Sequence, residues 1–364
     1  MLHVGGRRLP IVGRARLYVC GITPYDTTHL GHAATFVWAD VAARVLRHLG
    51  VDVEVCRNVT DVDDVLDEAA ARSGSRSDSF AAVQQFRFDR DMTALAVRPP
   101  THEPRARSHV SQVVTLAAAL LAVDAAYERD GTVWFRGAGL AERAGLGEAE
   151  AAALAVEYGH DAEEPVDVPV WRRARAGEVA WPSPWGEGRP GWHAECAAMA
   201  LHAFGPAVDV QAGGGDLNFP HHAYQAALSE AFTGVTPFAR SRLNAGVVRV
   251  AGAKMAKSAG NLVLVSDLLK EYSAAAVRLL ILDRRWGQDW DFSPAGLDAA
   301  ASRLERLHGA AGRAERDVAG DGGPAVAAMR AALARDLDVP TALRIAEEEG
   351  GQAARSLGTL LGLW

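Results

Sequence analysis

The stretch Leu17-Tyr18-Val19-Cys20-Gly21-Ile22 is a short, nearly unbroken apolar run, the signature of a strand buried on both faces. Turn residues follow at once in Thr23-Pro24-Tyr25-Asp26-Thr27-Thr28. The chain then becomes Ala-rich and apolar from about Gly31 to Leu49, too long for a strand and patterned for a helix. Val51 to Cys56 reads as a second strand, and Asn58-Val59-Thr60-Asp61-Val62-Asp63-Asp64 leads into another helix. Strand, helix and strand at this spacing form a βαβ unit, so the fold class is α/β with a parallel, nucleotide-binding sheet.

Outward from this unit, helical segments dominate from about Ser79 to Arg129. Thr132-Val133-Trp134-Phe135 is strand-like, and Glu148 to Glu157 is a low-complexity Ala/Glu segment. The sheet resumes at Ala207-Val208-Asp209-Val210-Gln211, which runs into Gly213-Gly214-Gly215-Asp216. A helix is expected from about His221, and a strand from Asn244 to Val250. Beyond Ser273 the chain is Ala/Leu/Arg-rich and helical, interrupted at Gly320-Asp321-Gly322-Gly323. There is no internal repeat. The expected organisation is a sheet split by an insertion, with a helical domain behind it: residues 1–98 and 191–272 form the two halves of a catalytic domain, 99–190 a connective insertion, and 273–364 a C-terminal helical domain.

Composition sets the outer bounds. The 364 residues, 49% hydrophobic, suffice for a large core and two or three domains. A net charge of −7 argues against a broad nucleic-acid-binding surface. No apolar run approaches the roughly 20 residues of a membrane span. The opening Met1-Leu2-His3-Val4-Gly5-Gly6-Arg7-Arg8 lacks the apolar core of a signal peptide, so a cytoplasmic protein with no membrane partner is expected. Cys20, Cys56 and Cys196 are too few and too scattered for a disulfide framework, and read as metal ligands, nucleophiles or core residues. Only three of the 38 basic residues are lysines, and two of those share the pentapeptide Lys254-Met255-Ala256-Lys257-Ser258. A chain that avoids lysine yet keeps two in one loop needs compact ammonium groups there, and phosphate handling is such a need.

His29-Leu30-Gly31-His32 lies between the first strand and its helix, beside helix N–H groups that favour a phosphate. Gly31 removes a side chain where a base or ribose could press against the backbone. Together with the lysine loop, this tetrapeptide resembles the HIGH and KMSKS signatures of the class I aminoacyl-tRNA synthetases, here HLGH and KMAKS. The resemblance implies a Rossmann-like (HUP-type) catalytic domain with an inserted connective domain and a C-terminal helical bundle. It also implies that His29, His32, Lys254 and Lys257 bind the phosphates of ATP, with Mg²⁺, and stabilise charge as pyrophosphate leaves. Ala256 removes one hydroxyl of the motif but neither ammonium group.

Three further pieces look like the cysteine-activating branch of that family: Cys20, Arg189-Pro190-Gly191-Trp192-His193-Ala194-Glu195-Cys196, and Gly213-Gly214-Gly215-Asp216-Leu217-Asn218-Phe219-Pro220-His221-His222. They imply one Zn²⁺ per chain on Cys20, Cys196 and His221, with an open position for the substrate thiolate. They also imply an adenylate pocket lined by Cys20, Gly21, Ile22, Thr23, Thr35, Asn58, Val59, Thr60, Trp192, Gly214, Gly215, Asp216 and Val248. Trp192 would pack its indole against bound cysteine, and Asp216 would take a ribose hydroxyl or an ammonium. His193 and Glu195 would orient the ligands, while His222 is expected to neighbour the ligand and Cys56 to be a core residue.

Where cysteinyl-tRNA synthetases carry a glutamate near zinc, this chain has Gln225, a poor ligand. That departure, with Gly21-Ile22-Thr23-Pro24-Tyr25-Asp26 and Trp181-Pro182-Ser183-Pro184-Trp185, resembles the synthetase-like ligases that join cysteine to glucosaminyl-inositol in mycothiol synthesis. Gln225, water or the substrate thiolate alone could fill the fourth zinc position. Only 106 residues follow Ser258, without a basic cluster suited to an anticodon stem, so a monomer acting on a small amine is expected rather than a tRNA-binding enzyme. The shortened, acidic segment from Tyr158 to Pro165 departs from those ligases and leaves another amine acceptor open, with cysteinyl-tRNA synthetase as the remaining alternative. Asp61 and His193 are the candidate bases for the transfer step.

Overall fold

The computed structural model describes residues 2–25, 27–147, 149, 162–255, 259–314 and 323–364. Lys257, residues 158–161, most of the Ala/Glu segment and residues 320–322 lie outside the described residues. Four parallel strands form the central sheet: β1 (Arg14–Ile22), β2 (Asp52–Val59), β3 (Val208–Gly214) and β4 (Ala239–Ala245), in the order β4-β3-β1-β2. Helix α1 (Leu30–His48) crosses from β1 to β2 and buries Leu30, Phe36, Val37, Trp38 and Val41 against the sheet, its alanines letting the two layers approach. Strand β1 is longer than its apolar run because Arg14 and Arg16 extend it on exposed positions.

Strand β2 also outruns its expectation. It continues through Arg57 and Asn58, both buried but both satisfied: Arg57 by Asp89 and Glu103, Asn58 by the backbone of β1. Backbone from 101 to 105 covers its outer edge, through Thr101 and His102 N–H to the Val55 carbonyl and Val59 N–H to the Pro104 carbonyl. The strand expected from Asn244 to Val250 divides in two. Its first part ends β4, and Val248–Val250 joins a separate three-stranded sheet beside Trp290–Asp291. The break falls at Gly246, where a Cβ would lie 2.0 Å from the Gln288 carbonyl oxygen.

Within the insertion, Ala126–Arg129, Thr132–Phe135, Val168–Arg173 and Gly188–Pro190 form an antiparallel sheet in that order. Its core is shared with α2 (Trp192–Phe204) and α3 (Ala223–Thr233), through Ala194, Ala197, Tyr224 and Leu228. At the C-terminal side, helices Pro294–Ala311, Gly323–Ala334, Val339–Glu349 and Gly351–Leu361 join the main core. Fully buried Arg278 ties them to the central-sheet half, reaching the Leu361 carbonyl, the Leu95 carbonyl (2.7 Å) and Asp40 of α1. The connection from β1 leads one way to β2, and β3 lies on the other side. The ends of β1 and β3 therefore flank the crevice where such sheets bind ligands.

Candidate active site

A cleft of about 610 Å³ opens at that crevice. Of the residues singled out by sequence, Cys20, Gly21, Ile22, Thr23, His29, His32, Thr35, Asn58, Thr60, Trp192, Cys196, Gly214, Gly215, Asp216, His221, Val248 and Lys254 all line it. Val59 does not: its side chain is buried and its backbone pairs with Pro104. Lys257 lies outside the described residues.

One end of the cleft carries sulfur. Cys20 lies near the end of β1, Cys196 lies in α2 and His221 precedes α3, so three elements converge on ligand atoms within 4.8 Å of one another. All three residues are buried. A hydrogen bond from Cys20, followed by the charge of His221, holds the Cys196 thiol well below its usual range, whereas burial pushes Cys20 well above it. Asn58 Nδ2 lies 3.4 Å from Cys196 Sγ, and the Tyr18 hydroxyl donates to the Cys196 carbonyl at 3.2 Å. The Trp192 indole stacks on the His221 ring at 4.2 Å, and His193 Nδ1 meets His221 Nδ1 at 2.8 Å. Two soft sulfurs and an imidazole at this spacing are a donor set suited to a thiophilic divalent metal, with the cleft on the fourth side. His222 is turned away to Asn244 (3.1 Å). Cys56 is wholly buried, its thiol pushed up to about 12 by burial, and stays in the core.

The other end carries His29, His32 and Lys254. His29 is the N-cap of α1, and its Nδ1 accepts the N–H groups of Gly31 (3.1 Å) and His32 (3.4 Å). Leu30 N–H goes to the Val263 carbonyl and Ala33 N–H to the His29 carbonyl. The helix N–H groups expected to meet a phosphate are therefore already taken. An Nδ1 that accepts places the proton of a neutral His29 on Nε2. Burial, then the neighbouring His29, lowers His32 to about 3, so the His32 imidazole is neutral at ordinary pH. The two rings stack at 3.8 Å. What presses on Gly31 is protein: a Cβ there would come within 3.0 Å of the His29 ring and 3.3 Å of Met255 Cε. Lys254 Nζ lies 2.6 Å from Asp216 Oδ2, both half-exposed in the cleft.

Neither candidate base for the transfer step faces the cleft. Asp61 accepts from the Arg107 N–H (2.9 Å) and pairs with Arg105 (3.3 Å), while His193 is buried against His221 and Tyr224. Sequence reasoning passed over Tyr25, Phe36, Leu217, Val247 and Met255, which also line the cleft. Position could have found Tyr25, in the turn after β1, and Met255, between the loop lysines. Phe36 and Val247 carry no such signal. Sequence reasoning also passed over Gln211, a buried amide behind the sulfur end of the cleft.

Comparison with known proteins agrees with this geometry. The family described as "tRNA synthetases class I (C) catalytic domain" matches residues 10–302. The chain belongs to this family. Among its relatives, "L-cysteine:1D-myo-inositol 2-amino-2-deoxy-alpha-D-glucopyranoside ligase" of Nocardia farcinica is 44% identical, over 90% of this chain and 82% of that protein. The same-named ligase of Frankia casuarinae is 42% identical, over 97% and 77%. The cysteine–tRNA ligase of Geobacter sulfurreducens is 37% identical, over 96% and 74%. In fold, the synthetase-family chain is similar to methionyl-tRNA synthetase of Mycobacterium tuberculosis in complex with methionyl-adenylate, with a TM-score of 0.66 at 18% identity over 97% and 82%. No helix among the described residues is long and apolar enough to cross a membrane.

Proposed function

We propose that this chain is the ATP-dependent ligase that activates L-cysteine and joins it to the amine of glucosaminyl-inositol, in mycothiol biosynthesis. The observation that carries the reading is the 42–44% identity to ligases of that name across 90–97% of the chain, above the 37% to a cysteine–tRNA ligase. The cysteine carboxylate attacks the α-phosphate of ATP, giving cysteinyl-AMP and pyrophosphate. The acceptor amine then attacks the activated carbonyl, an amide forms, AMP leaves and the amine's proton is released.

The residues divide this work along the cleft. Cys20, Cys196 and His221 would hold Zn²⁺, which when bound supplies a soft Lewis acid for the substrate sulfur and favours cysteine over serine. Asn58 and Tyr18 position Cys196, and Trp192 walls the amino-acid pocket. His29, through its Nε2–H, and neutral His32 would donate to the phosphates, while Lys254 and Lys257 would supply the charge that offsets the leaving pyrophosphate. Asp216 would accept the cysteine ammonium or a ribose hydroxyl, which requires Lys254 to leave it. Thr23, Thr35, Gly214, Gly215 and Val248 would shape the nucleotide side. The chain would act on small molecules, as a monomer in the cytoplasm, with Mg²⁺ accompanying ATP.

Cysteine-dependent ATP–pyrophosphate exchange tests the activation half. Exchange with cysteine and little with serine is expected; equal exchange with both would remove the sulfur end of the cleft from substrate selection.

A further inference from the structure

Two fully buried carboxamides lie behind the sulfur end of the cleft, and neither lines it. Gln225, in the first turn of α3, touches both cysteines of the triad. Its Oε1 lies 3.5 Å from Cys20 Sγ, and its Nε2 donates to the Cys196 carbonyl at 3.2 Å. Gln211, on β3, donates its Nε2–H to Gln225 Oε1 at 2.8 Å. Burying two amides in a core is costly unless their polar atoms are hydrogen-bonded. Here Gln211 Oε1 has no partner among the described residues, so the pair is not built for mutual satisfaction alone.

The bonds determine which way Gln225 faces. The Cys196 carbonyl can only accept, so the Gln225 NH₂ must point to it. The Gln211 NH₂ donates from the other side, so the Gln225 oxygen must point to Gln211 and, with it, to Cys20. An amide held from both ends holds what it touches. Cys20 and Cys196 come from β1 and α2; Gln225 bonds the Cys196 carbonyl directly, and accepts from Cys20 only while that thiol keeps its proton, which a bound metal would displace.

We infer that Gln211 and Gln225 form a neutral positioning relay that holds the Cys196 backbone, on α2, at metal-binding distance from Cys20. The relay rests on the metal reading above. Neutrality matters, because a carboxylate in place of either amide would add negative charge beside two metal-bound sulfurs. Gln211 is two residues from the Gly213–Asp216 turn, so the strand that lines the nucleotide side also steadies the metal side.

The test is Zn²⁺ affinity by competition with a chromophoric chelator, with Co²⁺ substitution to read the ligand field. Gln211→Glu keeps the volume of the side chain but loses the donor, and should weaken Zn²⁺ binding about 10-fold or more, the usual scale for groups that orient metal ligands. It should also alter the Co²⁺ absorption bands. Gln211→Met removes both polar atoms and should weaken the metal to a similar degree. Melting of each variant, compared with and without Zn²⁺, shows whether the chain still folds. Should Gln211→Glu fail to fold, Gln211→Met gives the reading. Wild-type affinity and bands in a folded Gln211 variant would overturn the relay. A wild-type chain that takes up neither Zn²⁺ nor Co²⁺ would overturn the metal reading itself.

Discussion

Replacing Gly21 with alanine should disable the site through the backbone alone. A Cβ at this position would lie 1.6 Å from the Asn58 carbonyl oxygen, so β1 and β2 must part to at least 3.0 Å, a shift of about 1.4 Å. Neither wall can yield by rotating a side chain, because both are backbone. The shift breaks the bond from Gly21 N–H to Asn58 Oδ1 (2.9 Å) and draws Asn58 Nδ2 away from Cys196 Sγ (3.4 Å). Overpacking costs about 1–3 kcal/mol and the lost hydrogen bond about 1 kcal/mol, for a total on the order of 2–4 kcal/mol. Because Cys20 is the adjoining residue, misplacement by about 1 Å should also slow adenylate formation by roughly 100-fold. Calorimetric melting and cysteine-dependent pyrophosphate exchange measure the two effects. Gly309→Ala is the matched control: it lies in helix Pro294–Ala311 with nothing within 4 Å of its Cβ position, and should stabilise by up to about 1 kcal/mol. A Gly21→Ala protein with wild-type melting and full exchange would refute the close approach of these strands.

Three further outcomes are expected. Cys196→Ala should lose both Zn²⁺ and exchange while Cys56→Ala keeps both; metal analysis showing full occupancy in Cys196→Ala would contradict the ligand assignment. Lys254→Ala, and equally Lys257→Ala, should slow pre-steady-state adenylate formation by roughly 100-fold with little change in cysteine affinity, and a normal rate would remove that lysine from the mechanism. His32 stays neutral in the fold down to about 3, whereas the unfolded chain protonates it near 6.5, so the unfolded state binds more protons between those values. Stability should therefore fall as pH drops through this window. His32→Gln should flatten the slope by up to one proton, about 1.4 kcal/mol per pH unit, and an unchanged slope in denaturant titrations would show that His32 is protonated in the fold.

The parallel core and its family were legible because the strongest local signals coincide there. An apolar run, a turn and an Ala-rich helix follow one another within 33 residues (17–49), and the helix begins at Leu30, one residue from its expected start. Cys20, Cys196 and His221, which meet at the candidate metal end of the cleft, stood out by residue type and context. Other features depended on tertiary contacts that leave little trace in sequence. Arg57 and Asn58 look like strand breakers until Glu103, Asp89 and Gly21 supply their partners. Gly246 gives no sign that Gln288 will press on it. The capping of α1 by His29 occupies the backbone N–H groups that the sequence had offered to a phosphate. Asp61 looked available as a base because arginines 44 and 46 residues away do not announce themselves. Gln211 was invisible for the same reason, since a lone amide in an apolar strand carries no motif.

The central claim is that activated cysteine passes to an amino sugar, and AMP release tests it most directly. With ATP, cysteine and Zn²⁺-loaded protein, AMP should form steadily only when glucosaminyl-inositol is added, and mass spectrometry should find the amide product. Total tRNA should change nothing. Adenylate that forms normally but ignores glucosaminyl-inositol would contradict the acceptor, and cysteine appearing on tRNA at a useful rate would contradict the ligase reading altogether.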